Sequence, residues 1–476
     1  MKKLLLILFL FLLSIQIQAQ STDIDKDLGK QNAQSVEDQY KVYKSGPQNE
    51  YIQKVGARLV KSLDKPLFDY QFHLVEDMAP NAFALPGGYI YVTTGLIPIL
   101  ESEDELACIL GHEIIHSNNR HTVKQLKKSI LPSLLEIPGN LLGIVSEDLG
   151  SLFNAPIKTS NALLFASYSR KFESEADDEG VELAAKAGYD PAAMIGALSR
   201  LSSSVEVATS MEESKSYFND HPYTPDRTAA INKKMQELHF KHTAAISNNF
   251  LAEFDGLIFG NNPDQGIIKE NHFLHPEMDF YMEFPTNWKI DNQTSAVGAV
   301  NPENDAMVIL TLDNPELTPK QASDEFMKNL KSQYKVKLVN KKSYKHNNKD
   351  SYKLEFVDEA KKRKMFGMVA WIPMNNMLFK VMTITPYENK NKVEKSIESL
   401  RNLNLEEKNS LTINRLHIVK AKGGETIKEL SKREKNILNL DLTTTINDID
   451  ENEKLRKGEQ VKIVIEEHYN YQYTIK

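Results

Sequence analysis

The spacing of apolar and polar positions changes several times along the chain. From 25 to 63 apolar residues recur at helical spacing, which predicts a helix packed along one face. Residues 70–75 and 88–94 read as strands; the second, "GGYIYVTTG", is a Tyr/Ile/Val run bounded by glycines. "SEDELACILGHEIIH" opens with Ser102 and Glu105, a capping-box pair, and continues with Leu106, Ile109 and Leu110 at the spacing of a buried helix. Residues 130–165 are apolar but broken by Pro132, Pro138, Gly139 and Gly143, which predicts loops and short helices near a cleft: a lid, an outer-membrane-facing surface or packing. "SYSRKFESEADDEGVELAAKAGY" is helical and acidic. After "FDGLIFGNNPDQG" the period becomes two. "DFYMEFP" alternates Phe280, Met282 and Phe284, and "SYKLEFV" alternates Tyr352, Leu354 and Phe356. "MFGMVAWIPMNNMLFKVMTIT" reads as two strands around a short turn, with helices near 318–334 and 389–403.

The length of 476 residues exceeds one core and predicts about two to four domains. With 41% hydrophobic and 26% charged residues the composition is that of a globular protein. "MKKLLLILFLFLLSIQIQAQ" has the parts of a signal peptide: Lys2 and Lys3, an apolar core from Leu4 to Leu13, and a cleavage site at Ile17-Gln18-Ala19. The apolar run is shorter than the ~20 residues a membrane span needs, and no later stretch reaches that length without charge. An exported, periplasmic location is expected, with a peripheral association to the outer membrane open. Cys108 is the single cysteine, so the chain has no internal disulfide. The net charge is −7, and no basic stripe marks a nucleic-acid partner.

The candidate chemistry lies in "GHEIIHSNNRH". On a helix His112 and His116 sit about 40° apart, one turn from each other, and can reach a single ion. Glu113 flanks the same face, where it can meet a water without binding the ion. This is the H-E-x-x-H arrangement of zinc hydrolases. By the same count His121 lies about 180° round from His112 and about 140° from His116, so it points away. A third histidine ligand would have to follow a glycine, one place later, so that class is not expected. The third ligand then comes from elsewhere. In the acidic helix Glu173 and Asp177 share a face, whereas Glu175 is about 200° from Glu173 and cannot serve the same site. Glu173 fits a zinc ligand, and Asp177 fits a group that orients a ligand histidine through its other ring nitrogen.

H-E-x-x-H followed by E-x-x-A-D on a later helix resembles the gluzincin metallopeptidases of the HtpX/BepA/Ste type. "NAFALPGGYIYVTTGLI" and "DHPYTPDR" are similar to that family's upstream and His-Pro motifs. The resemblance runs over roughly residues 40 to 240. It implies one Zn2+ per chain held by His112, His116 and Glu173, with Glu113 as general base. His221 precedes Pro222 on a loop. Two roles for it are open: oxyanion stabiliser, or a direct zinc ligand that holds the enzyme shut. An edge strand beside the zinc helix, comprising Asn81 and Tyr89, Ile90, Tyr91 and Val92, would pair with an extended substrate through main-chain bonds; the alternative is a core strand.

The expected fold class is multidomain. A mainly α-helical gluzincin peptidase domain with a small β-sheet comes first, then an α+β domain, then a small β-α LysM-like module. The expected boundaries are 1–19 signal peptide, 20–255 peptidase, 256–270 linker, 271–405 accessory domain and 410–476 C-terminal module. The accessory domain is similar to PsbP-like modules and carries no catalytic constellation; His346 reads as solvated loop. The C-terminal module resembles LysM through Gly424-Glu425-Thr426 and Lys457-Gly458-Glu459-Gln460, while "NLDLTTTINDIDENEK" departs from that pattern. A peptidoglycan partner and a structural cap are both open. The function expected is a zinc endopeptidase acting on unfolded or misassembled envelope proteins. The rival is a latched peptidase fold that works as a chaperone or scaffold.

Overall fold

The computed structural model describes residues 22–129, 168–208, 221, 225–238, 240, 249–333, 337–358 and 364–469. The signal segment 1–19 and the apolar insertion 130–165 lie outside the described residues. The chain divides into two compact units. The first runs to Gly260 and takes in Asn414–Glu467; the second is built on Asn261–Ile413.

In the first unit the helix expected over 25–63 is two helices, α1 at 22–39 and α2 at Pro47–Lys61. Gly46 at φ +107° turns the chain, and Pro47 starts α2, where its missing N–H costs nothing. Between them Val42 bridges to Val75. A three-stranded sheet follows, of β1 (Gln71–Val75), β2 (Ala82–Leu85) and β3 (Tyr89–Thr93), in the order β1-β3-β2. β3 pairs parallel with β1 and antiparallel with β2. Tyr89, Ile90, Tyr91 and Val92 therefore lie in the central strand and cannot receive a substrate strand. This corrects the edge-strand expectation. The edges are β1 and β2, and β2 is the one whose Leu85 carbonyl accepts from Ser117 Oγ of the histidine-bearing helix, at 3.4 Å.

That helix is α3 (Glu103–Asn118), capped by Ser102, which accepts from the Glu105 amide. Only this half of the capping box forms. The Glu105 carboxylate turns instead to the Glu101 amide and to Arg200. The chain continues into α4 (His121–Ser129), α5 (Arg170–Lys186, capped by Ser169), α6 (Ala193–Ala208) and α7 (Pro225–Glu237). α3 and α5 meet at two glycines. A Cβ on Gly111 would stand 2.8 Å from the Gly180 carbonyl, and one on Gly180 would stand 2.9 Å from the His112 amide. No side chain larger than hydrogen fits at either place.

The C-terminal segment belongs to this unit. It runs β14 (Thr412–Lys420), α10 (Ile427–Glu434), α11 (Leu440–Asn447) and β15 (Gln460–His468), numbered with the strands of the second unit below; β14 pairs with β15. It has a small core of its own, with Ile427, Leu430, Val461 and Ile463. Leu416 and Ile446 instead join the core that holds Leu106, Ile109 and Leu198. Buried Lys462 donates from Nζ to the Leu100 carbonyl at 3.1 Å, two residues before the cap of α3. Burial pulls the Lys462 ammonium down to about 8, against the opposing pull of Glu101.

The second unit holds a three-stranded sheet, β4 (Ile267–Lys269), β5 (His272–His275) and β6 (Phe280–Glu283), and a seven-stranded antiparallel sheet. The latter is built from β7 (Lys289–Gln293), β8 (Ala296–Val300), β9 (Met307–Asp313), β10 (Lys337–His346), β11 (Lys349–Asp358), β12 (Met365–Met374) and β13 (Met377–Pro386). Period two explains its layers. Phe366, Met368, Ala370 and Ile372 of β12 face one core, which includes Val393 and Ile397 of α9 (Lys390–Ser399). Met365, Val369 and Trp371 face the other, where Tyr352, Leu354 and Phe356 also pack, along with Ala322 of α8 (Pro319–Gln333). β12 and β13 join at Asn375 and Asn376, both at positive φ, as a two-residue hairpin requires. His346 is not solvated loop: it is buried at the end of β10, with Nε2 2.6 Å from the Leu400 carbonyl.

Because Ile446 is part of the peptidase core, Ile446→Ala should destabilise the first unit by ~2–5 kcal/mol. Calorimetry should show the lower transition together with weaker zinc retention. A C-terminal segment folded independently would instead leave the peptidase transition unchanged.

Candidate metal centre

Helix α3 carries His112, Glu113 and His116, α5 carries Glu173 and Asp177, and His221 comes from the residues just before α7. The Gly111–Gly180 contact sets the distance between α3 and α5 directly beside His112. One side-chain donor each from His112, His116, Glu173 and His221 converge within 4.8 Å, and all four residues are buried. His116 Nε2 is 2.9 Å from His112 Nε2. His221 Nδ1 is 3.2 Å from His112 Nε2 and 3.1 Å from Glu173 Oε1. Glu173 Oε1 lies 3.4 Å from His116 Nε2. Glu113 is fully buried, with Oε1 3.5 Å from His221 Nε2. Glu175, as its face required, is not among the converging donors.

Outer groups fix how these donors are presented. His112 Nδ1 faces Asp177 Oδ1 at 3.0 Å, which favours a proton on Nδ1 and leaves the Nε2 lone pair aimed at the centre. Asp177 is itself gripped by both arms of Arg227, at 2.7 Å each. Arg227 also reaches Glu173 Oε2 at 3.1 Å and donates to the His221 carbonyl at 3.2 Å. One guanidinium therefore ties three site residues together. The sequence reading gave it no role, although it closes the "DHPYTPDR" motif.

His121 does not point away as a continuous helix would demand. α3 ends at Asn118, Arg120 takes φ +58°, and His121 restarts the chain as α4. Its Nδ1 comes to 3.1 Å from His116 Nδ1 and its Nε2 to 3.1 Å from Glu175 Oε2. The ring stacks on Phe172 at 4.4 Å, and Tyr168 stacks on His116 at 3.9 Å.

The electrostatics follow from burial and neighbours. Desolvation pushes His112 and His116 down, so both are neutral, as ligands must be. Burial alone would raise the Glu173 carboxyl; His221, His116 and His112 around it outweigh this and hold it well below the usual carboxylate range. For His221 burial acts downward, but Glu113 and Glu173 lift it to about 9.

The donor set fits a zinc ion: the neutral imidazoles of His112 and His116 and the ionised carboxylate of Glu173 are buried together, with the lone pair of His112 directed inward and other histidine nitrogens about 3 Å away. Two imidazole lone pairs pointed at each other at that distance repel unless a proton or a metal ion lies between them.

Glu173→Ala should abolish stoichiometric zinc binding. Asp177→Asn should retain it with affinity lowered ~10–100-fold, since it orients a ligand rather than binding the ion. Chelator competition measures both, and equal losses would remove the distinction.

Residues 47–235 match the sequence model of Peptidase family M48. The mitochondrial metalloendopeptidase OMA1 of Schizosaccharomyces pombe is 28% identical over 195 residues, 41% of this chain and 55% of that one. The beta-barrel assembly-enhancing protease of Yersinia pestis is 27% identical over 207 residues, 42% of each chain. A Vibrio cholerae relative described in similar terms is 34% identical over 170 residues, 34% of each chain. The chain thus spans between 34% and 55% of the length of these curated relatives. Residues 47–235 therefore resemble a metalloprotease domain of Peptidase family M48, and the donor cluster lies within that segment.

Proposed function

We propose that the protein is a zinc-dependent endopeptidase of the cell envelope that acts on unfolded or misassembled proteins and is restrained by His221. The observation that carries this is the convergence of His112, His116, Glu173 and His221 around one point beside Glu113. His112, His116 and Glu173 would hold the zinc, which supplies Lewis acidity and lowers the pKa of a water toward ~7. Glu113, buried and next to this point, takes the proton of the attacking water and passes it to the departing amine. Its burial keeps competing solvent from the carboxylate.

The substrate class rests on two supports. Two relatives are beta-barrel assembly-enhancing proteases. The edge strand beside α3, here β2 with Asn81 at its start, would accept an extended chain through its backbone, a mode that suits unfolded segments of many sequences. An exported location agrees with the signal-like start of the sequence, and among the described residues no helix is long and apolar enough to cross a membrane. Whether the C-terminal segment touches peptidoglycan is a separate question, to be read from pelleting with purified sacculi.

For His221 the geometry favours the latch over the oxyanion role. Its Nδ1 stands with the ligand atoms of His112 and Glu173, where a fourth protein donor would occupy the position that water needs.

Glu113→Gln should keep zinc and fold but lower turnover of unfolded casein by ~10²–10⁴-fold. Near-normal turnover would refute the endopeptidase reading, and the inactive variant should co-purify with barrel-type envelope proteins. His221→Ala should raise turnover or cause self-cleavage if the latch holds, and lower it if His221 serves the oxyanion.

A further inference from the structure

We propose that His121 and Glu175 are positioning residues that lock His116 in the tautomer able to bind the metal. The inference rests on the metal reading above and extends it to two residues that the helical count places off the site. The argument begins at Arg120, a non-glycine residue at φ +58°. Such a backbone is held only where its surroundings compensate for it. Here the guanidinium of Arg120 grips Asp25 of α1 at 2.6 Å, and Asp25 is buried. The turn follows the end of α3 at Asn118 and brings His121 back beside His116. There it is fully buried and pinned flat on Phe172.

Two ring nitrogens facing each other at 3.1 Å need one proton between them. Two arrangements are available. If His121 Nδ1 carries the proton, His116 Nδ1 accepts it, and His116 Nε2 carries the remaining hydrogen and cannot bind a metal. If His116 Nδ1 carries it, His116 Nε2 presents a lone pair to the centre. Glu175 decides between them. Its Oε2 lies 3.1 Å from His121 Nε2, and a carboxylate there requires the proton of neutral His121 on Nε2. His121 Nδ1 is then an acceptor, and His116 Nδ1 must be the donor. The chain of hydrogen bonds runs from His116 Nδ1–H to His121, and from His121 Nε2–H to Glu175. Asp177 does the same for His112 in a single step. Lys171 Nζ lies 3.4 Å from Glu175 Oε1, one turn away on the same helix.

The test compares wild type with His121→Phe, which keeps the ring against Phe172 but removes the acceptor, with His121→Asn, whose amide oxygen restores one, and with Glu175→Ala, at a half-exposed site that tolerates truncation. Zinc affinity is measured by chelator competition, and the tautomer of His116 by long-range ¹H–¹⁵N correlation in the metal-free protein, with His116→Gln for assignment. Wild type should show His116 protonated at Nδ1. His121→Phe should move the proton to Nε2 and weaken zinc ~10–100-fold. Glu175→Ala should move both readouts in the same direction by less, and His121→Asn should recover most of the affinity. Equal loss in His121→Asn and His121→Phe, or an unchanged tautomer in Glu175→Ala, would overturn the proposal. Failure of the wild type itself to bind zinc would instead refute the metal reading.

Discussion

Everything in the candidate site depends on how closely α3 approaches α5. The contact is glycine on glycine, with Gly111 under the Gly180 carbonyl and Gly180 over the His112 amide. A single methyl group at either position would force the helices apart. At this spacing the carboxylates of Glu173 and Asp177, a turn apart on α5, reach the two nitrogens of the His112 ring from different sides. One meets Nε2 at the metal side and the other meets Nδ1 behind it. The approach therefore serves ligand and orienting group at once, and the apolar core around Leu106, Ile109 and Ala184 supplies the force that maintains it.

Around this contact the charges form a closed arrangement. Arg227 holds Asp177, Glu173 and the His221 carbonyl, so the residue that anchors the ligand-orienting carboxylate also seats the fourth donor. A change in the position of His221 is thereby coupled to the groups that present His112 and Glu173. The buried carboxylates keep their charge because each faces cationic or hydrogen-bonding partners, as buried charges must. The C-terminal segment supports the same helix from its other end, through Lys462 on the Leu100 carbonyl and Ile446 in the core.

Much of the site was legible because it is written in local spacing. His112, Glu113, His116, Glu173 and Asp177 follow from counting residues around two helices, and the period-two runs of β11, β12 and β13 mark their strands directly. What sequence could not show depends on residues far apart. His121 returns to the site because Arg120 takes a backbone that only its partner Asp25, 95 positions earlier, makes affordable. β3 is a Tyr/Ile/Val run that reads as either an edge or a core strand, and it lies in the middle because strand order is set by a crossover that local pattern does not encode. The C-terminal segment reads as a module by its turns, but Leu416 and Ile446 are apolar toward another part of the chain. His346 lies among Asn and Lys in sequence and is buried by a carbonyl 54 positions later.

The central claim is that one zinc ion sits among His112, His116, Glu173 and His221. X-ray absorption at the zinc edge of the purified protein tests it most directly. The account predicts one zinc per chain with nitrogen and oxygen neighbours at ~2.0–2.2 Å, outer-shell scattering from three imidazoles, and two imidazoles in His221→Ala. A sulfur neighbour, which only Cys108 or a methionine could provide, or a spectrum without imidazole scattering, would contradict it.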